Sequence, residues 1–170
     1  ISYVHSIIEQ DRSTLWVATD QRGCYRCKFE MRGTVPVITD VETISFTRPF
    51  SQASSVFSMA MQNDSTIWFG SRGNGVLSYN TRTGKSRVVQ FPAQEGLAFN
   101  ETVFVTKSKD MLFATGNGLA SYSPERDTIL IPDFIPKRAA HSILTDGSEN
   151  LWISTYSGVI SLKTDGIYRS

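Results

Sequence analysis

Leu15-Trp16-Val17-Ala18-Thr19 is a phrase that the chain repeats three more times, as Ile67-Trp68-Phe69-Gly70-Ser71, Met111-Leu112-Phe113-Ala114-Thr115 and Leu151-Trp152-Ile153-Ser154-Thr155. From one second position to the next (Trp16, Trp68, Leu112, Trp152) the steps are 52, 44 and 40 residues. A period of about 40 to 45 residues is that of a four-stranded propeller blade rather than of a helical repeat. An irregular β-sandwich has no reason to repeat its sequence. The fold class expected is therefore all-β, with four four-stranded antiparallel blades of a β-propeller.

The units align along their whole length. Each opens on a short run rich in β-formers, at residues 4–8, 56–61, 103–105 and 140–144, which we designate strand A. A polar turn follows, Asp11-Arg12-Ser13-Thr14, Asn63-Asp64-Ser65-Thr66, Lys109-Asp110 and Asp146-Gly147-Ser148-Glu149-Asn150, in which Asn and Asp side chains can bond nearby backbone. The repeated phrase is strand B. A glycine turn leads to strand C at residues 24–29, 76–79, 119–122 and 159–162, and turns at 79–84 and 122–127 lead to strand D at 87–91 and 128–131. The blades fall at roughly 1–50, 51–97, 98–135 and 136–170. The stretch 32–55 reads as an insertion that lengthens the first spacing. No amphipathic helix is evident.

With 170 residues, 40% of them hydrophobic and 19% charged, the chain is long enough for one sizeable core. A formal charge of +1 with scattered basic residues gives no electrostatic footprint for nucleic acid or an anionic membrane. No uncharged run approaches the roughly 20 residues of a spanning helix, so direct membrane insertion of this segment is not expected. The chain begins at Ile1 inside a strand-like run, which leads us to expect a piece of a longer protein.

The order of a Ser-Ile pair, an acidic turn, Leu-Trp-Ile-Gly-Thr, Gly-Leu and a Tyr-Asp turn resembles the two-component regulator propeller repeat. It stands here as Ser6-Ile7 through Thr19, Ser58-Met59 through Asn80, and Ser142-Ile143 through Leu162, whereas the third unit has Leu112 for Trp and a shorter first turn. The resemblance covers nearly the whole chain. It implies a periplasmic sensor region of a hybrid two-component system histidine kinase, of the kind that senses glycan fragments in polysaccharide-degrading bacteria. It also implies about seven blades in the parent, so four would form an open arc whose terminal faces favour self-association.

Cys24-Tyr25-Arg26-Cys27 is a lone C-x-x-C. Cys24 aligns with Val76, Leu119 and Val159, and Cys27 with Tyr79, Tyr122 and Leu162, so both read as small buried hydrophobes rather than a redox pair or half a zinc site. Residues three apart on a strand point to opposite faces, which argues against a disulfide between them. His5 and His141 each precede an aligned serine on strand A, which lines a propeller's channel, but with no clustered Asp, Glu or Cys they make no metal site by spacing. No cofactor is implied. Trp16, Trp68 and Trp152 recur in register and are expected to pack between blades as structural core.

Specificity is sought instead where the repeats differ. In a propeller the B–C turns and D–A connections surround one channel mouth. The B–C turns offer Gln21, Arg22, Arg72, Asn74, Asn117 and Tyr156, and the D–A connections offer Arg48, Phe50, Phe99, Asn100, Lys137 and Arg138. Arginine can grip carboxylate or sulfate at two points and amides can match sugar hydroxyls, so the expected partner is a small molecule or oligosaccharide. His141 joins these as a channel-facing candidate. With no G-x-S-x-G, H-E-x-x-H or glycine-rich phosphate loop, no catalytic residue is assigned and the segment reads as non-enzymatic. The alternatives are an interaction or dimerisation scaffold, or a lyase-like enzyme with His141 as base beside Asp146 or Glu149.

Overall fold

Strand-forming runs separated by Asn, Asp and Gly turns build the described part of the molecule. The computed structural model describes residues 3–46, 48, 50, 54–89, 91, 102–107, 110–131, 138–146 and 150–163. Fifteen strands form four antiparallel sheets, each a meander of consecutive strands, and there is no helix among the described residues. The first sheet is β1 (Val4–Asp11), β2 (Thr14–Thr19), β3 (Cys24–Arg32) and β4 (Val35–Thr43). The second is β5 (Val56–Asn63), β6 (Thr66–Ser71), β7 (Val76–Asn80) and β8 (Ser86–Val89). The third is β9 (Thr102–Lys107), β10 (Met111–Thr115), β11 (Gly118–Ser123) and β12 (Thr128–Leu130). The fourth contains β13 (Ala140–Thr145), β14 (Asn150–Thr155) and β15 (Gly158–Lys163), and a last strand after Lys163 would lie outside the described residues.

Residues 35–43 of the stretch 32–55, expected as an insertion, are in fact strand D of the first blade. Val35–Thr43 pairs with a strand C that itself runs on to Arg32. Its Thr, Asp and Glu interruptions hid the strand, because β4 is an outer strand with mostly solvent-facing side chains.

Alternating side chains give each strand B two faces, and the blades stack through them. The ring of Trp16 meets Phe69 and Tyr79 of the second blade edge-on, at 6.2 and 5.6 Å. Trp68 meets Phe113 and Tyr122 of the third at 5.4 and 4.6 Å. At the next boundary Leu112 replaces tryptophan, and the receiving residues become the aliphatic Ile143, Leu151 and Ile153. The core is thus three separate interfaces, one per pair of neighbouring blades.

Trp152 departs from the expected core position: it is 43% exposed, and Leu144, its cross-strand partner, is 66% exposed. The direction of stacking explains it. Each strand-B tryptophan is covered by the blade that follows, and among the described residues nothing follows the fourth. Ile7 is 59% exposed on the first sheet.

The indole N–H groups are satisfied by a repeated device. Trp16 donates to Gln10 Oε1 and Trp68 to Gln62 Oε1, each at 2.8 Å, and Trp152 donates to Asp146 Oδ2 at 3.0 Å. In the first two blades the strand ladder slips by one residue at the glutamine, freeing it to reach the indole six positions on. The A–B turns behave as their composition requires: Asp11 and Asn63 side chains accept the N–H two residues later.

Candidate ligand-binding face

The fifth residue of each phrase closes the turn on which this face is built. Thr19, Ser71, Thr115 and Thr155 donate their hydroxyls to the carbonyls of Gly23, Gly75, Gly118 and Gly158, at 2.9 to 3.0 Å. Those glycines hold positive φ, from 65° to 127°, a region that side chains with a Cβ rarely enter. The B–C turns are therefore fixed in backbone while their remaining side chains are free to differ.

Adjoining blades are sewn together at this end. Gly23 N–H donates to the Ser54 carbonyl at 3.0 Å, Ser55 Oγ donates to Asp20 at 2.5 Å, and Asn74 Nδ2 donates to Ser54 Oγ at 3.4 Å. Asn74 is thus engaged in holding its turn to the connection that enters the second blade. Arg22, Arg48 and Arg72 are exposed. Phe50, expected as a recognition residue, is buried instead, edge-on to Phe46 at 5.9 Å within the core between the first two blades. Phe46 in turn packs on Phe69 at 5.2 Å, so the aromatic segment serves the interface rather than a ligand. Phe99, Asn100 and Lys137 lie outside the described residues.

The fourth blade gathers three of the expected residues. The His141 ring stands at 88° to that of Tyr156, centroids 4.0 Å apart, and Arg138 Nη1 donates to Ser157 Oγ, in the same turn as Tyr156, at 2.7 Å. Tyr156 is 85% exposed. Asn117 sits in the B–C turn of the preceding blade, its N–H on Thr115 Oγ1 at 3.1 Å. The side-chain nitrogens Asn117 Nδ2 and His141 Nε2 are shielded from solvent without a hydrogen-bond partner. His5 stacks on Phe57 of the second blade at 4.3 Å and 21°, a contact between rings that sequence reading did not connect.

A base pairing of His141 with Asp146 does not exist. Asp146 follows the far end of β13, about 16 Å along the strand at roughly 3.3 Å per residue, and its carboxylate accepts from Asn150 and Trp152. Glu149 lies outside the described residues. Among the described residues no three His, Cys, Asp or Glu side chains form a group that could hold a metal ion. Cys24 and Cys27 are buried free thiols, and burial pushes both up from the ordinary thiol range.

No protein-family model and no curated protein sequence matches this chain. In structure it is similar to the extracellular domain assigned to a hybrid two-component system of B. thetaiotaomicron, with 19% identity and a TM-score of 0.72 over 95% of this chain and 20% of that one. It is also similar to the extracellular domain assigned to a one-component system of the same organism, with 16% identity and a TM-score of 0.71 over 97% of this chain and 21% of that one. A WD40 β-propeller domain matches 93% of this chain and 49% of its own, with 8% identity and a TM-score of 0.67. The chain thus spans about a fifth of the length of the two extracellular domains. At these identities the likeness is one of fold, and the chain is a run of β-propeller blades.

Proposed function

We propose that this chain is a ligand-binding segment of the periplasmic sensor region of a hybrid two-component system histidine kinase, recognising an oligosaccharide and passing the signal to a cytoplasmic kinase. The observation that carries the reading is the contrast at one end of the blades. The hydroxyl-to-glycine closure there recurs in every blade, spanning four residues in the first two and three in the last two, while the tips change from Arg22 and Arg72 to Asn117 and Tyr156. A fixed frame with variable hydrogen-bonding and aromatic tips is suited to a hydroxyl-rich ligand. The fold likeness to two extracellular domains of bacterial signalling systems supports the same reading. Binding and signal relay, not catalysis, are the segment's task.

The exposed face around Trp152 and Leu144 supports a second element: self-association of the isolated segment through its terminal blades. A scaffold role in sensor dimerisation would use that same face.

The test is the melting temperature of the complete parent ectodomain against a panel of oligosaccharides, because a ligand that binds only the native state raises it. The reading expects a shift with a specific glycan that is lost when Arg22, Arg72 and Arg138 are changed to Ala. No shift with any glycan contradicts it and favours the scaffold.

A further inference from the structure

We propose that the boundary of the third and fourth blades holds a subsite for one neutral pyranose ring, formed by Asn117, His141 and Tyr156 and set up by a β-bulge in strand A. The inference rests on the oligosaccharide-sensing role proposed above and gives it a place and a ligand chemistry.

The bulge is a property of the repeat. Val4 pairs with Thr19 and Ser6 with Ala18, leaving His5 out of the ladder. In the same place Val56 and Ser58 pair with Ser71 and Gly70, leaving out Phe57. Thr102 and Phe104 pair with Thr115 and Ala114, leaving out Val103, and Ala140 and Ser142 pair with Thr155 and Ser154, leaving out His141. A bulge bends its strand and re-aims the extra side chain, and bulges gather near functional sites. The residue after it is Ser in three blades, yet the bulged residue is His, Phe, Val and His. The backbone feature repeats while its side chain does not, which is what a reading position on a fixed scaffold requires.

Bulged side chains meet across blades, as the stacking of His5 on Phe57 demonstrates. At the fourth blade the bulged ring meets Tyr156 instead. β10, which ends in the Asn117 turn, packs against β13, in which His141 is bulged, so both residues belong to one end of one blade boundary. Nearly all buried polar atoms in folded proteins are paired, and an unpaired one costs roughly 1–3 kcal/mol. Two such atoms at this boundary, Asn117 Nδ2 and His141 Nε2, point to a group from outside the chain, which reaches them once the exposed Tyr156 ring that packs on His141 moves aside.

Their chemistry selects that group. The amide nitrogen only donates, whereas the imidazole nitrogen donates or accepts according to tautomer. A hydroxyl accepts from the first and donates to the second, and neighbouring hydroxyls on a sugar ring satisfy both. The exposed Tyr156 ring offers a platform for the apolar face of that sugar. Asn117 and Tyr156 bring no charge to the subsite, which suits a neutral ring, while Arg138 Nη1 uses one of its five N–H donors to hold Ser157 in the same turn.

The chain contains only two histidines, so imidazole nitrogen NMR reports on each separately. We would titrate the 170-residue chain with cellobiose, maltose, mannobiose and galactobiose, and follow binding in parallel by melting temperature. The expected result is that one of them moves the Nε2 signal of His141. His141→Val, which installs the residue that the third blade carries there, and Tyr156→Ala should each weaken its binding roughly tenfold, while Lys28→Ala, at an exposed position of β3 in the first blade, leaves it unchanged. A disaccharide that binds without moving His141, and as tightly to His141→Val, overturns the subsite and leaves the sensing role standing. No binding of any of these, together with no glycan shift in the parent ectodomain, overturns both.

Discussion

The ring of Trp68, in the second blade, lies 4.6 Å from the ring of Tyr122, in the third, tilted by 48°. The contact is one part of a joint. Tyr122 donates its hydroxyl to Asp127 at 2.6 Å, and Arg87, from the second blade, reaches across to both carboxylate oxygens of Asp127 at 2.7 and 2.8 Å. An apolar contact and an ion pair therefore tie the same two blades at adjacent points.

Truncating the tryptophans should expose the direction of stacking. Trp68→Ala removes a fully covered ring and is expected to cost about 3–5 kcal/mol. Trp152→Ala, at a ring already 43% exposed, is expected to cost about 1–2 kcal/mol. Urea unfolding midpoints check this, and equal losses would contradict one-directional packing.

The indole acceptors make a second prediction. Gln62→Leu leaves the part-buried Trp68 N–H without its partner and should destabilise by about 1–3 kcal/mol, whereas Gln62→Glu, which keeps an acceptor, should recover most of that loss. Thermal unfolding of the two variants distinguishes this from a packing effect.

Acid should loosen the joint between the second and third blades. Hydrogen bonds from Arg87 and then Tyr122 hold the Asp127 carboxyl well below the ordinary value of 3.8. A group whose folded value is depressed contributes its stability above the unfolded value and loses it as pH falls through the folded one. Stability of the native sequence should therefore decline as pH drops below 3.8, and Asp127→Asn should show a shallower decline. Denaturation midpoints measured from neutral to strongly acid pH decide it; identical slopes would remove Asp127 from the account.

Cys24 should resist chemistry. Its thiol is fully buried, with Sγ 3.6 Å from Met59 Sδ, and burial raises its pKa far above neutrality. Iodoacetamide should label it only after unfolding, as read by mass spectrometry. Rapid labelling of the native chain would show that the first two blades part readily.

Self-association through the last blade predicts that Leu144→Glu, at a side chain 66% exposed in the single chain, lowers the apparent mass in light scattering at high concentration. An unchanged mass would place any association elsewhere.

The repeat was legible because Trp16 and Trp68 face the blade that follows and their phrase cannot drift without spoiling that fit, and the fourth blade carries the same phrase at Trp152. Strand β4 was not, since an outer strand is under no such constraint and its residues read as a polar insertion. Phe50 misled because an aromatic in a connection can serve an interface as well as a ligand, and the alternation of a strand was not there to choose between them. The bulge at His5, Phe57, Val103 and His141 leaves no sequence signal of its own, since one extra residue shifts the alternation without altering composition. Aligning the serines that follow it was the only cue. Gln10 and Gln62, by contrast, stand six residues before aligned tryptophans and could have been found by that spacing.

The central claim is that ligands are read at the end of the blades carrying the B–C turns. Hydrogen exchange of the complete parent ectodomain, with and without a glycan that raises its melting temperature, tests this most directly. The account predicts new protection in peptides spanning residues 19–23, 71–75, 115–118 and 155–158, with none at the C–D turns 80–85 and 123–128. Protection confined to the C–D turns would contradict it.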